Sequence, residues 1–123
     1  MLIKSHKELE VYQLAFDAAM EIFDLTRNFP KEELYSLTDQ IRRSSRSVCS
    51  NIAESYRKRK YPKSFTAGLN ISEGESAETQ VWLDFSRKCN YISSDVYKSL
   101  NRKYDFIIGK LVIMSLQPDK WSF

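Results

Sequence analysis

Glycine, proline, cysteine and histidine are all scarce in this chain. Its 123 residues include three Gly, three Pro, two Cys and a single His. An all-β domain needs many tight turns, which Gly and Pro favour, so the composition indicates long helices joined by short loops. A chain of this length can fold as one domain, residues 1–123, because it buries roughly two-thirds of its unfolded surface without needing staples.

Secretion and membrane signals are missing as well. Two cysteines, Cys49 and Cys89, are too few for a small secreted disulfide scaffold. The first ten residues are polar and lack the apolar core of a signal peptide. The longest apolar run, Phe106–Met114, is interrupted by a glycine and a lysine and is far shorter than the roughly 20 residues of a membrane helix. We therefore expect a soluble cytoplasmic protein with reduced thiols and no membrane contact.

Patterns that carry catalysis or bind metals are not found. His6 lies near the N-terminus, far in sequence from both cysteines, so no Cys–His nucleophile is indicated. The three glycines form no phosphate-binding loop. Metal sites in helical bundles use Glu-x-x-His motifs, and the chain has none. We expect no enzymatic activity, no cofactor and no metal site.

Four segments carry apolar residues at the three- and four-residue spacing of amphipathic helices. The predicted helices run from about Lys7 to Arg27, Lys31 or Leu37 to Lys58, Pro62 to Cys89, and Ser93 or Ser94 to Leu116. Helices of similar length with short connections predict an all-α fold, an antiparallel up-down-up-down four-helix bundle.

The first and third predicted helices have unusual faces. The first carries two adjacent apolar stripes, and only one of them can pack inside a bundle. The heptad seam comprises Leu9, Tyr12, Phe16, Ala19, Phe23 and Thr26, and the second stripe, which we expect an assembly to protect, comprises Val11, Ala15, Ala18, Ile22 and Leu25. The seam of the third helix is rich in Ser and Thr, and Gly74 in its middle predicts a close crossing with the second helix.

Positive charge is concentrated in one stretch. Residues 1–41 carry four Lys/Arg against eight Asp/Glu, residues 42–63 carry eight against one, and residues 64–123 carry seven of each. The formal net charge of +3 therefore conceals a strong local field. The basic block consists of Arg42, Arg43, Arg46, Arg57, Lys58, Arg59, Lys60 and Lys63.

Three interpretations of the basic block stay open. It can bind phosphates of RNA or DNA, with Tyr56 and Tyr61 beside it to stack on unpaired bases. It can be a solvated face paired with acids of the first helix such as Glu21 or Asp24. It can also contact an acidic protein partner.

A second polar set lies on the second and third helices. Asn51, Glu54 and Glu78, with Arg43 as a possible partner, are predicted to form a buried network that fixes helix register. The alternative with a specific function is a two-metal carboxylate site, but neither helix contains the histidine that such a site needs.

The second helix also resembles a known family signature. Gln40-Ile41-Arg42-Arg43 is followed by Ser50-Asn51-Ile52-Ala53-Glu54, as in the 23S rRNA intervening-sequence proteins. Leu9-Glu-Val-Tyr12 and Leu25-Thr-Arg-Asn-Phe-Pro30 are similar to the first helix of that family, whereas Ser55 stands where the family usually has glycine.

This resemblance implies properties that composition does not show. Relatives form four-helix bundles that assemble as ring-like homopentamers, so we expect a homo-oligomer. Some members are encoded inside insertions in ribosomal RNA genes. A related branch assists the reverse transcriptases of diversity-generating retroelements, with a basic surface thought to bind nucleic acid. We therefore expect a non-catalytic bundle that binds RNA or DNA. The alternative is a protein-interaction scaffold or accessory subunit, for example of a reverse transcriptase, with no direct nucleic-acid contact.

Overall fold

A computed structural model describes residues 3–121, and four α-helices make up most of them. The helices are α1 (Glu10–Thr26), α2 (Leu37–Arg57), α3 (Pro62–Lys88) and α4 (Ser94–Leu116). Short 3-10 helices occur at His6–Glu8, Lys31–Glu33 and Pro118–Lys120. No strand is found between residues 3 and 121, so the predicted all-α four-helix fold is confirmed.

The ends of α3 and α4 follow from local sequence. Pro62 opens α3 in its first turn, where its missing N–H costs nothing. Asn90 has a φ of 63°, and the Tyr91 N–H donates to the Ser86 carbonyl at 2.9 Å, which ends α3. The Ser93 hydroxyl then caps α4 by accepting from the Val96 N–H at 3.1 Å.

Each helix packs on its neighbours in sequence, and α1 also packs on α4. Tyr104, Phe65, Ile52 and Leu100 are among the fully buried side chains of the shared core. This core receives the seam of α2 from Leu37 to Tyr56, that of α3 from Phe65 to Ser86 and that of α4 from Leu100 to Met114, which are the residues at three- and four-residue spacing.

The prediction for the first helix is wrong about which stripe faces inward. Val11, Ala15, Ala18 and Ile22 are buried, whereas Phe16 of the predicted seam is 47% exposed. Both stripes have helical periodicity, so periodicity alone could not choose between them. The stripe with alanines lets α1 approach the core closely. In the other stripe Phe16 is exposed and Tyr12 and Phe23 are half-buried, and only its two ends, Leu9 and Thr26, are buried.

The α2–α3 contact is built from small polar residues. Ser44, Ser72, Ser76 and Thr79 are fully buried. The Ser72 hydroxyl donates to the Val48 carbonyl at 3.0 Å, and Thr79 Oγ1 lies 2.8 Å from Ser44 Oγ. These hydrogen bonds satisfy the hydroxyls of Ser44, Ser72 and Thr79, which would otherwise be costly to bury, whereas Ser76 Oγ has no hydrogen-bond partner among residues 3–121.

The two helices approach each other closely at Gly68. A Cβ added there would lie 2.0 Å from Ser55 Oγ, closer than any real contact. Gly74, predicted to mark the close crossing, has open space at its Cβ position, so that prediction is wrong. A glycine's role depends on the neighbouring helix, which the sequence of its own helix does not contain.

Between residues 3 and 121, no helix has the length and apolar character needed to cross a membrane.

Candidate nucleic-acid interface

Basic side chains lie along one face of α2. Arg46 and Arg57 are about three helical turns apart, so they point in nearly the same direction and are separated by about 16 Å along the axis. Arg42 lies one turn before Arg46 on this face. The helix therefore divides the basic block into a group near its start and a group at its end.

The first group surrounds an aromatic ring of α1. The Arg42 Nε donates to Thr26 Oγ1 at 2.8 Å, and its guanidinium carbon is 4.8 Å from the Phe23 ring centroid. Arg46 and Arg27 approach the same ring at 5.8 and 5.9 Å. We call Arg27, Arg42 and Arg46 the arginine cluster. Cation–π contacts and the hydroxyl bond hold its guanidinium groups in place.

Within residues 3–121, none of the three cluster arginines forms an ion pair. Glu21, an acid of the first helix considered as a neutralising partner, pairs instead with Lys103 of α4 at 2.8 Å. Asp24 is exposed and pairs with none of these arginines. The cluster thus keeps its full positive charge.

Arg43 is placed differently from its neighbours. It forms ion pairs with Glu75, at 3.0 Å, and with Glu78, both on α3. The hydrogen bond to Glu78, assisted by Glu75, raises the pKa of Arg43 above its ordinary value. Trp82 Nε1 also donates to Glu78 at 3.0 Å. Arg43 therefore links α2 to α3 through ion pairs, and its charge is largely neutralised.

The predicted network of Asn51, Glu54 and Glu78 is not formed. Asn51 Nδ2 donates within α2, to the carbonyl and hydroxyl of Ser47 at 2.9 and 3.0 Å. Glu54 points to solvent, and only Glu78 makes the expected contact with Arg43. Glu54 points in nearly the same direction as Arg43, but it lies about 16 Å further along α2, too far away to reach Glu78.

The second basic group lies where α2 ends and α3 begins. We call Arg57, Lys58, Arg59, Lys60 and Lys63 the basic turn. Arg59 stacks on Tyr56, with 3.9 Å between its guanidinium carbon and the ring centroid. Arg57, Lys58, Lys60 and Lys63 are exposed and form no ion pair with any part of the chain that the structure describes.

The two tyrosines beside the basic turn differ in availability. Tyr56 is buried, and its hydroxyl donates to the Ile3 carbonyl at 2.6 Å, so it cannot stack on a base. Tyr61 is 58% exposed, with Lys60 Nζ 5.5 Å from its ring centroid.

A wide depression adjoins the arginine cluster and contains an aromatic residue that sequence reasoning missed. Tyr35 precedes α2 and is 91% exposed. The depression has a volume of about 670 Å³ and is lined by Leu34, Tyr35, Asp39, Arg42, Arg43, Arg46, Ser47 and Ser50.

Arg27 was missed as well. Its position at the end of α1 was a usable signal, because the end of one helix and the start of the next are close in a helical hairpin. No comparable signal marks Tyr35 as a binding residue.

An apolar groove between α1 and α2 shares Arg46 with the depression. It has a volume of about 290 Å³ and is lined by Tyr12, Phe16, Ala19, Met20, Phe23, Arg46, Cys49, Ser50 and Ala53.

Burial raises the pKa of the Cys49 thiol to about 11, so this cysteine is a protonated, unreactive thiol at neutral pH. Among the described residues, no three His, Cys, Asp or Glu side chains are grouped so as to hold a metal ion.

Comparison with known proteins identifies the family. Residues 7–112 match the model of the 23S rRNA-intervening sequence proteins. The chain belongs to this family. A crystal structure of a protein of unknown function from the S23 ribosomal protein family of Bacteroides thetaiotaomicron is similar, with 26% sequence identity and a TM-score of 0.76. The match covers 85% of this chain and 94% of the other. No curated protein matches the chain. The predicted resemblance is thus confirmed.

Proposed function

We propose that this intervening-sequence family protein is a non-catalytic nucleic-acid-binding protein whose basic α2 face contacts the phosphates of RNA or DNA. The observation that carries the proposal is the line from Arg42 through Arg46 to Arg57. These cations have no carboxylate partners within residues 3–121. Their spacing of about 16 Å between Arg46 and Arg57 suits a backbone that follows the helix. Phosphate contacts of this kind position a strand without reading its sequence.

We also propose an antiparallel up-down-up-down arrangement and assembly into a ring-like homopentamer, as the resemblance implies. Contacts of Arg42 with Thr26 and of Tyr56 with Ile3 support an antiparallel α1–α2 pair. Large exposed apolar side chains on the outer helix faces support assembly, because a single chain leaves about half or more of each of them in water. They are Phe16 and Met20 on α1, Ile71, Val81 and Phe85 on α3, and Phe106, Ile113 and Leu116 on α4. Two free thiols are in keeping with a cytoplasmic location.

A second candidate function is a scaffold or accessory subunit. The outer face of α3 favours it, because Ile71, Val81 and Phe85 form an exposed apolar stripe. A reverse transcriptase is the partner that the resemblance suggests. The two functions differ in one respect, since only direct phosphate binding depends steeply on salt.

Nucleic-acid binding is expected to weaken with salt and with charge reversal at the basic turn. We predict that Arg57→Glu, Lys58→Glu and Lys60→Glu together lower the affinity for labelled RNA or DNA at low salt by at least about tenfold. The salt slope should fall by roughly 0.7–0.9 for each phosphate that the variant no longer neutralises. Fluorescence anisotropy at several salt concentrations measures both quantities.

A matched control carries the same change in net charge elsewhere. Lys88, Lys98 and Arg102 are exposed or half-exposed and lie outside both basic groups, so their replacement by glutamate should leave most of the affinity. Equal losses of affinity for the two triple variants would contradict a local contact. No binding to either nucleic acid at low salt would reject the proposed function.

The assembly has a separate test. Light scattering on the purified protein at micromolar concentration is expected to give a mass near five times 14.5 kDa. Phe16→Ser on α1 and Val81→Ser on α3 should each lower this mass, because they remove apolar area that only a second chain can cover. A monomer mass for the wild-type protein would reject the assembly while leaving the nucleic-acid proposal standing.

A further inference from the structure

The aromatic ring of Tyr35 lies in solvent and does not contribute to the packing of the fold. It is 91% exposed, and its side chain makes no ring contact or hydrogen bond with any residue from 3 to 121. Leu34 beside it is also exposed. A tyrosine ring in water offers a π-face to a planar ligand at little cost in conformational entropy.

The backbone beneath this ring is anchored on both sides. The Leu34 N–H donates to the Lys31 carbonyl at 3.1 Å, and the Ser36 N–H donates to the Glu33 carbonyl at 3.0 Å. The Glu33 carboxylate accepts from the Leu37 N–H at 3.3 Å and from the Tyr91 hydroxyl at 2.9 Å. The loop is thus tied both to α2 and to the segment after α3. A fixed platform loses less entropy when a ligand stacks on it.

Two guanidinium groups of the arginine cluster line the same depression. Arg42 is held by Thr26 and Phe23, and Arg46 by Phe23. Held arginines are suited to phosphate because their planar donor groups are already oriented. Arg43 also lines the depression, but its guanidinium group is already paired with two carboxylates of α3.

Asp39 limits how much negative charge the depression accepts. Its exposed carboxylate lines the same surface, so two free guanidinium groups face one acid. That balance suits one phosphate with a polar base or sugar beside it. The volume of about 670 Å³ is within the roughly 300–1,000 Å³ of small-ligand sites.

We propose that this depression holds one unpaired nucleotide of a single-stranded RNA or DNA, with the base stacked on Tyr35 and its phosphate on Arg42 and Arg46. This inference rests on the proposed function and narrows its ligand to single strands. A base within a duplex is stacked on both sides and cannot reach a tyrosine ring, whereas an unpaired base can. The basic turn then holds the continuing backbone about 16 Å further along α2.

The test compares one oligonucleotide in single-stranded form with the duplex of the same sequence. We expect the wild-type chain to prefer the single strand. Tyr35→Ala should weaken single-strand binding by about 5- to 150-fold, which corresponds to the roughly 1–3 kcal/mol of one base–aromatic stack. Tyr35→Phe retains the ring and should bind within about twofold of wild type. Duplex affinity should be the same for all three proteins.

Tyr61→Ala is the matched control, since it removes a second exposed tyrosine next to basic residues but outside the depression. Its effect on single-strand affinity should be smaller than that of Tyr35→Ala. Unchanged single-strand affinity in Tyr35→Ala, or an equal loss for the duplex, would overturn the inference. If such a protein still bound both forms in a salt-dependent way, the proposed function would survive. If the wild-type chain bound neither the single strand nor the duplex, both the proposed function and this inference would be rejected.

Discussion

Replacement of Gly68 by alanine is expected to destabilise the protein by about 1–3 kcal/mol, although alanine is the better helix former. The new Cβ would lie 2.0 Å from Ser55 Oγ and 3.2 Å from Ser55 Cβ. Rotation of the hydroxyl can relieve the first overlap, but it leaves the second. The backbones of α2 and α3 would then have to move apart by a few tenths of an ångström at this point, which weakens their contact.

Replacing Ser55 by glycine is expected to turn the destabilising effect of Gly68→Ala into a stabilising one. With Ser55→Gly the two nearest atoms are gone, and the next one, Ser55 Cα, lies at 3.6 Å, which is an ordinary contact distance. In that background Gly68→Ala should stabilise the chain by about 1 kcal/mol through helix propensity. Gly74→Ala, with open space at its Cβ, is the control and should stabilise wild type by a similar amount.

Wild type, Gly68→Ala, Ser55→Gly and the double variant form a double-mutant cycle. Urea unfolding at fixed protein concentration gives the stability of each of the four proteins. The interaction energy between the two sites should be at least about 1 kcal/mol. Additive effects at positions 55 and 68 would show that the two helices do not approach closely there.

A hydrophobic substitution in the core is expected to be strongly unfavourable. Ser72→Leu should cost about 3 kcal/mol or more, even though Ser72 is fully buried and leucine is far more apolar. The serine fills a narrow space between α2 and α3, and its hydroxyl donates to the Val48 carbonyl at 3.0 Å. Leucine would overfill that space and would also remove the hydrogen bond.

Ser72→Ala separates these two causes. It removes the hydrogen bond without adding volume, so its cost should be only about 1 kcal/mol. Thermal and denaturant unfolding of both variants give the comparison, and Leu69→Ala, one turn earlier, gives the contrasting cavity effect of roughly 2–5 kcal/mol. Tolerance of Ser72→Leu would mean that the interface between α2 and α3 has unfilled space.

Much of the fold could be predicted because the seams of the later helices keep the helical spacing along their length, although α3 and α4 also carry apolar residues on their outer faces. The seam of α2 from Leu37 to Tyr56 and that of α3 from Phe65 to Ser86 are both buried, despite the many serines in them. For α1 the sequence offered two apolar faces of equal periodicity. The choice between them depends on the space that α2 and α4 leave, which periodicity does not describe.

The candidate site was predictable in composition but not in arrangement. The local excess of cations was evident from residue counts, whereas the pairing of Arg43 with Glu75 and Glu78 depends on the side of α2 that faces α3. Arg27 and Tyr35 join the surface only because the α1–α2 connection brings them to the start of α2. Such proximity between residues distant in sequence requires the packed structure.

Arg46 belongs to two concavities at once, since it lines both the depression beside Tyr35 and the groove between α1 and α2. A chain seated in that groove therefore changes the surroundings of a guanidinium group that an anion in the depression also meets. Thermodynamic linkage makes such an effect reciprocal: by whatever factor self-association alters the affinity for phosphate, phosphate alters self-association by the same factor. In the assembly and the phosphate site that we propose, this shared side chain would make quaternary structure and ligand occupancy dependent on each other.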